Sequence, residues 1–331
     1  MRIRIVLLFA LLTVAALLLF ALDLAVGSVA VPLREVWAAL TGGEVSSATL
    51  KIVREIRLLK AIVAVAAGAA LSVSGLQMQT LFRNPLAGPY VLGISSGASL
   101  GVALFILGTP LAGGGWLTVL GPAGAAWAGS AVIIAVIAAV SRRIRDIMVI
   151  LILGMMFSSG VGAVVQILQY LSREEALKSF VIWTMGSLGD VTSAQLTLLL
   201  PAVAAGLLLS LAAVKPLNLL LLGEQYARTM GLGVRRSRAL IFASTTLLAG
   251  TVTAFCGPIG FIGLAVPHVA RMLFRTADHR VLLPGSALLG AVVLLGCDLV
   301  SKQLTLPVNT ITALLGIPVV VWVVVRNKSI A

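Results

Sequence analysis

Arg83-Asn84-Pro85-Leu86-Ala87-Gly88-Pro89-Tyr90-Val91-Leu92-Gly93-Ile94-Ser95-Ser96-Gly97-Ala98 joins two apolar runs. A hydrophobic helix ends before this stretch, the chain turns on two prolines, and a glycine- and serine-rich helix begins. Proline cannot donate a backbone hydrogen bond and ends or kinks a helix. Closely spaced glycines let backbones approach one another. A segment that faces only lipid has no need of such a joint, so this one marks a specific contact inside a membrane bundle.

The flanking runs belong to a set of ten apolar stretches, at about 3–24, 58–81, 91–108, 116–140, 146–169, 194–213, 237–256, 260–274, 282–301 and 311–326. About 20 apolar residues span the hydrocarbon core, and a helix satisfies its own backbone there. Barrel strands alternate in polarity, and these runs do not. The eighth stretch follows Gly257-Pro258 and is short enough to cross only partly. The 331 residues are 60% hydrophobic and 11% charged, with a mean hydropathy of +1.13. Soluble domains carry about 25% charged residues. The fold class is therefore all-α, a polytopic membrane protein of about ten transmembrane helices. It reads as a single membrane domain over 1–331 with no soluble domain inserted. Arg2 and Arg4 before Ile5–Leu22 resemble a signal peptide, but the run is long and Asp23–Ser28 is a poor cleavage site. It reads as the first membrane helix.

With the N-terminus inside and strict alternation, 16 of the 24 lysines and arginines fall on the inner side. Among them are Arg142, Arg143, Arg145 and Lys328. The positive-inside bias thus supports N-in, C-in and an even number of spans. The net charge of +13 is a topology signal, not a nucleic-acid footprint, since no soluble basic face or aromatic platform is present. The two cysteines and two histidines have no metal-ligand spacing, so neither a metal site nor a cofactor of this chain is expected.

Lys51, Arg54, Arg57 and Lys60 recur every three residues in the first outer connection. On a helix they form one basic stripe, which suits either interfacial snorkelling or a dock for an acidic partner. Gly93, Gly97 and Gly101 repeat every four residues, as do Gly154, Ser158 and Gly162, with Gln166 continuing the latter face. Gly68 and Ser72 make a similar pair. Such spacing serves close helix packing. The polar character of the fifth stretch, with Ser159 and Gln169 beside it, also suits the wall of a passage for a large solute. Asp298, four residues before Lys302, has the order that favours a local ion pair on a helix. The membrane stretches contain no chain of Asp, Glu and His that would relay protons, which weighs against an ion-coupled secondary carrier. Gly93-Ile94-Ser95-Ser96-Gly97 has the wrong spacing for a serine nucleophile, and the glycine repeat explains it better.

The connection at about 214–236 contains Leu222-Gly223-Glu224-Gln225-Tyr226-Ala227-Arg228-Thr229-Met230-Gly231-Leu232-Gly233. Glu224 lies in the first turn of a short helix, where the macrodipole favours an acid. Gly231 and Gly233 supply a stop, and Arg235, Arg236 and Arg238 anchor the next span. Such a projecting helix suits either a membrane-surface segment or a lever engaged by a cytoplasmic motor.

Four motifs together resemble the iron-chelate and cobalamin permease family, the membrane subunits of type II ATP-binding-cassette (ABC) importers. The first is Arg57-Leu58 leading through Gly68–Gly75 to Gln77 and Gln79. The second is Arg83-Asn84-Pro85 with Gly93–Ala98. The third is Leu222-Gly223-Glu224 with Ala227 and Gly231. The fourth is Gly257-Pro258 through Pro267-His268 to Arg271. Trp183–Leu188 fits as well, and the resemblance runs from the first stretch to Val325. It implies a homodimer in the bacterial inner membrane, two ATPase subunits holding ATP-Mg below it, and a substrate-binding protein above. It implies that Gly223, Glu224, Ala227, Arg228 and Gly231 couple to the ATPase. It further implies that Gly154, Ser158, Gly162 and Gln166 line the translocation path, and that Arg54, Arg57 and Lys302 meet acids of the binding protein. The family commonly has arginine where Lys302 stands, and an ammonium lacks the bidentate geometry of a guanidinium. The implied cargo is a large metal chelate, a ferric siderophore or haem, with cobalamin as the alternative.

Overall fold

The computed structural model describes residues 2–27, 29, 31–108, 116–141, 144 and 146–327. Arg142, Arg143, Arg145 and Lys328 lie outside the described residues. In chain order the helices are α1 Arg2–Ala25, α2 Leu33–Thr41 and α3 Ser47–Lys51. A π-helical turn, Ile52–Arg57, continues α3 into α4 Leu58–Leu81. There follow α5 Ile94–Ile106, α6 Trp116–Ser141, α7 Ile147–Leu171, α8 Glu174–Thr184, α9 Ser193–Ala212 and α10 Val214–Leu220. The remainder are α11 Glu224–Thr229, α12 Val234–Cys256, α13 Ile262–Phe274, α14 His279–Leu304 and α15 Val308–Asn327. Among the described residues all regular structure is helical.

Six stretches are long and apolar enough to cross a membrane: α1, the continuous α3–α4, α7, α9, α12 and α14. Four shorter apolar helices, within α5, α6, α13 and α15, complete the ten expected from the sequence. The ends are set locally. Asp146 caps α7 by accepting from the Met148 N–H at 2.8 Å. Thr192 and Gln195 form a reciprocal capping box on α9, which satisfies two otherwise orphaned donors. Inside α6 the chain breaks at Gly121 (φ 62°, ψ −179°) ahead of Pro122, a conformation open essentially only to glycine.

The buried centre is α4, whose residues from Ala70 to Leu81 are all buried. It crosses α14 and α13 at glycines. A Cβ on Gly68 would sit 2.3 Å from the Gly290 carbonyl oxygen, and one on Gly75 would sit 1.6 Å from that of Gly263. The α5–α6 crossing uses the glycine repeat in the same way, with Gly97 against Gly129 and Gly101 against Ala125. The small-residue spacing seen in the sequence is therefore packing in α4 and α5, where backbones meet directly.

The Arg83–Ala98 joint is a re-entrant segment, and it shortens the third span. At 13 residues each, α5 and α13 are about 20 Å long at 1.5 Å per residue, short of the roughly 30 Å core. Irregular backbone at membrane depth is tolerated only where protein buries it and satisfies its polar groups. The segment 85–93 meets both conditions. It runs beside α13: the Pro85 carbonyl lies 2.7 Å from His268 Nε2, Pro89 packs on Gly263, and the Tyr90 hydroxyl donates to the Ile259 carbonyl at 3.1 Å. Asn84 Oδ1 accepts the Leu86 N–H at 2.9 Å, and the Gly93 N–H donates to the Tyr90 carbonyl at 2.8 Å. Gly93 (φ 76°) then starts α5. The companion break at Gly257 (φ 73°, ψ −179°) is filled by the Trp183–Leu188 loop. The Ser187 N–H donates to the Cys256 carbonyl at 2.8 Å, and a Cβ on Gly257 would lie 2.5 Å from the Trp183 carbonyl oxygen. Four of the sequence motifs thus meet in one joint.

Candidate functional site

The connection between α9 and α12 forms a short, rigid projection at one end of the bundle. Gly223 (φ 99°) turns the chain into α11. Gly231 (φ 81°) closes it: the Leu232 N–H reaches the Ala227 carbonyl at 3.0 Å and the Gly231 N–H reaches that of Arg228 at 3.0 Å. This is a Schellman ending. Gly233, expected to share the stop, has φ −73° and instead precedes α12, so the stop is Gly231 alone. Ala227 is fully buried beneath the helix.

Glu224 does more than favour the helix dipole. Its carboxylate accepts from Arg238 Nε at 2.8 Å and from a second nitrogen of the same guanidinium. It lies 3.6 Å from Arg228. Charge-assisted bonds of this paired kind hold geometry as well as energy, and they lock α11 to the first turns of α12. Sequence reading placed Arg238 in an anchoring basic run and missed this pairing, because the two residues are neighbours only after the chain turns at Gly231. The opposite side of the projection is open: Leu222, Tyr226 and Met230, spaced by four, are all exposed.

The projection is also tied to the bundle core. Arg83, in the left-handed region at φ 48°, places a guanidinium nitrogen 3.4 Å from where a Cβ on Gly223 would stand. Arg83 and Arg271 line a cavity of about 210 Å³ with Gln79, Thr80, Pro85 and Leu221. Arg271 donates to Gln79 Oε1 at 2.5 Å, and Gln79 Nε2 to the Leu264 carbonyl at 3.0 Å. In α10, Asn218 donates to Asp278 at 2.6 Å and accepts from the His279 N–H at 2.9 Å. His279 Nε2 lies 2.9 Å from Thr80 Oγ1 in α4. The Asp278 carboxyl is held below its ordinary value, chiefly by the Arg280 backbone N–H that it caps. α11 is thus bonded directly to α12, while α10, which leads into it, is bonded to the start of α14 and through His279 to α4.

The expected path residues divide into two groups. Gly154 is buried, and a Cβ there would lie 2.7 Å from the Val91 carbonyl oxygen. Ser158 donates to the Gly154 carbonyl at 2.9 Å and abuts Gly93. These two seat the re-entrant joint rather than line an open passage, because the backbone of residues 91–93 occupies their face. Gly162 and Gln166 instead line a polar cavity of about 300 Å³ with Ser95, Ser96, Ser99, Gln169 and Thr184. The three serines of α5 were not singled out for this role, although their i, i+1, i+4 spacing puts them on one face. His268 is engaged by the Pro85 carbonyl, whereas Ser95 lines this cavity, so the two form no nucleophile–base pair.

At the far end of the bundle two of the three docking candidates, Arg57 and Lys302, are engaged within the chain. Arg57 is buried and donates to the carbonyls of Leu24 at 2.9 Å and Ala25 at 2.7 Å, and also to that of Val29. It caps the C-terminal end of α1. Lys302 places its ammonium 2.7 Å from Asp23 Oδ1, 3.1 Å from the Asp23 carbonyl and 3.1 Å from Asp298. The ammonium thus has one hydrogen bond, to the Asp23 carbonyl, and sits at ion-pair distance from both carboxylates. Both acids are fully buried, and Asp298 also meets Lys60 at 2.9 Å. The local pair expected from the sequence is therefore part of a larger cluster that includes Asp23. Arg57 is buried and Lys302 largely so, each with partners inside the chain. Arg54 donates to the Ala39 carbonyl at 2.6 Å yet stays on the exposed surface. The basic stripe divides in this way because the π turn, with its i→i+5 bonding, sends each cation to a different element.

The model of the FecCD transport family matches residues 13–326. The chain belongs to that family. Among its relatives, the hemin transport system permease protein HmuU of Yersinia pestis is 38% identical over 312 residues, covering 92% of this chain and 90% of HmuU. The vitamin B12 import system permease protein BtuC of Salmonella typhimurium is 36% identical over 298 residues, covering 88% and 89%. An ABC transporter assigned to the metal-chelate type, solved in an inward-facing conformation, superposes with a TM-score of 0.82 at 29% identity, over 97% of this chain and 99% of that one. As a FecCD-family member this chain is a multi-pass membrane permease of the ABC importer class. The family match spans the re-entrant joint, the α11 projection and the α7 cavity alike.

Proposed function

We propose that this chain, a single permease domain over 1–331, acts as a homodimer in the bacterial inner membrane and imports a large metal chelate, haem or a ferric siderophore. Two ATPase subunits seat on α11 at the cytoplasmic side, both termini face the cytoplasm, and a binding protein delivers cargo at the opposite end. The observation that carries this reading is the α11 projection. It is locked by Glu224 to Arg238 of α12 and follows α10, whose Asn218 bonds to the start of α14, while its apolar side of Leu222, Tyr226 and Met230 lies uncovered. An exposed apolar cluster of this kind marks a protein contact.

In this mechanism ATP-Mg, bound by the ATPase subunits and not by this chain, draws them together. The coupling residues Gly223, Glu224, Ala227, Arg228 and Gly231 move with them. Glu224–Arg238 carries that motion into α12, and Asn218–His279–Thr80 carries it into α14 and α4. Two bundle arrangements are each favoured by one nucleotide state. Gly162 and Gln166, with the α5 serines, offer hydroxyl and amide groups to a polar cargo without binding it tightly. The exposed flank of α7, including Met155, Met156 and Tyr170, supports placing that helix beside its twin at the dimer axis. Arg54 remains the candidate for contact with the binding protein.

Relatives named for hemin and for vitamin B12 keep cobalamin as the alternative cargo. The test is uptake into vesicles holding this chain, its ATPase and its binding protein, with haem, a ferric siderophore and cobalamin compared. Accumulation of an iron chelate supports the proposal, and accumulation of cobalamin alone replaces it with the alternative.

A further inference from the structure

The π turn fixes two helix ends at nearly the same height. Arg57 binds the carbonyls that end α1, and Arg54, three residues earlier, binds the Ala39 carbonyl near the end of α2. One helical turn rises about 5 Å, so α2 lies within roughly a turn of the level where α1 leaves the bilayer. α1 itself is lipid-facing along its length, with Leu11, Leu18 and Leu22 exposed.

α2 has nine residues, too few to cross. Its Val36 and Ala39 are buried against the protein. Leu33 and Trp37, one turn apart on an adjoining face, are 69% and 70% exposed. Arg34 is exposed as well, on the polar flank of that face. An indole has an apolar body and one N–H donor, which suits it to the headgroup boundary.

We infer that α2 is an interfacial anchor: Leu33 and Trp37 partition into the outer edge of the bilayer, and the partner of this surface is lipid. The argument is continuity. The lipid-facing surface of α1 ends near the level of α2's last turn, and the exposed side chains on α2 combine apolar bulk with a flanking cation, the pattern of a helix lying in the interface. Arg54 and Arg57 then act as struts that hold this anchor to α1 and α4. This inference goes beyond the transport reading and takes from it only which side of the membrane is outer.

The test uses the full chain in bilayers, with a nitroxide placed at Leu33→Cys and, separately, at Trp37→Cys. The native Cys256 and Cys297 are buried, which keeps the label on the new site. Oxygen, which concentrates in lipid, should relax both labels several-fold more than a water-soluble nickel chelate does. Saturating binding protein should leave the ratio unchanged. Chelate-dominated relaxation at either site would overturn the inference. So would loss of accessibility when the binding protein is added, which would make α2 a protein dock.

Discussion

The Glu224 carboxylate accepts the Arg238 Nε proton at 2.8 Å, joining residues 14 apart across the turn at Gly231. It is the one direct side-chain ion pair between α11 and a membrane helix among the described residues. If α11 is the lever, this bond is its fixed end. Glu224→Gln keeps the shape and loses the charge, and a charge-assisted bond contributes about 1.5–3 kcal/mol. The pair is partly exposed, so the lower end applies. Glu224→Gln and Arg238→Gln should each lower transport per ATP hydrolysed by roughly tenfold, the equivalent of about 1.4 kcal/mol. ATPase binding and detergent melting temperature should stay near wild type. Simultaneous measurement of uptake and phosphate release checks this, and equal losses in both would refute it.

Three glycines in the same loop separate strain from sequence motif. Gly223 and Gly231 have φ of 99° and 81°, whereas Gly233 has φ −73°. Alanine in the left-handed region costs about 1–2 kcal/mol. Gly223→Ala and Gly231→Ala should therefore lower coupling, and Gly233→Ala should leave it unchanged. Coupling ratios for the three variants, measured side by side, decide the matter.

Packing glycines and cavity glycines should differ as sharply. A Cβ on Gly75 would overlap the Gly263 backbone, while one on Gly162 meets nothing within 4 Å. Gly75→Ala should sharply reduce folded, detergent-stable protein, since backbone on both sides must shift. Gly162→Ala should fold normally and alter only uptake. Yield and melting temperature of the two variants provide the check.

The outer ion cluster predicts a stability effect without a docking effect. Lys302→Met leaves Asp23 buried without its nearest counter-charge and Asp298 with Lys60 alone, a change that typically costs about 3–5 kcal/mol. The melting temperature should drop markedly, yet the folded fraction should bind the binding protein with wild-type affinity. Weakened binding by that fraction would restore Lys302 as a contact residue.

Much of this architecture is legible in the chain. Apolar length gives the ten spans, and glycine spacing marks the faces of α4 and α5 that pack closely, because both signals are periodic and local, but it does not name their partners α14 and α6. The re-entrant path of residues 85–93 is only hinted at by its prolines. Its depth depends on His268 and Ile259, which lie far away in sequence. The division of the basic stripe is hidden for a related reason. Spacing aligns Lys51, Arg54, Arg57 and Lys60 on an ideal helix, but it cannot show that the carbonyl end of α1 arrives within reach and draws Arg57 inward while Arg54 stays exposed. The role of Glu224 is legible as a helix-start acid, whereas its bond to Arg238 requires the turn that brings α12 back.

The most direct test of ATP-driven transport is substrate accumulation in sealed vesicles containing this chain, its binding protein and either an active ATPase or one that binds ATP without hydrolysing it. The account predicts concentrative uptake with the active ATPase and none with the inactive form, whatever ion gradient is imposed. Accumulation driven by an ion gradient alone, with no working ATPase present, would contradict it.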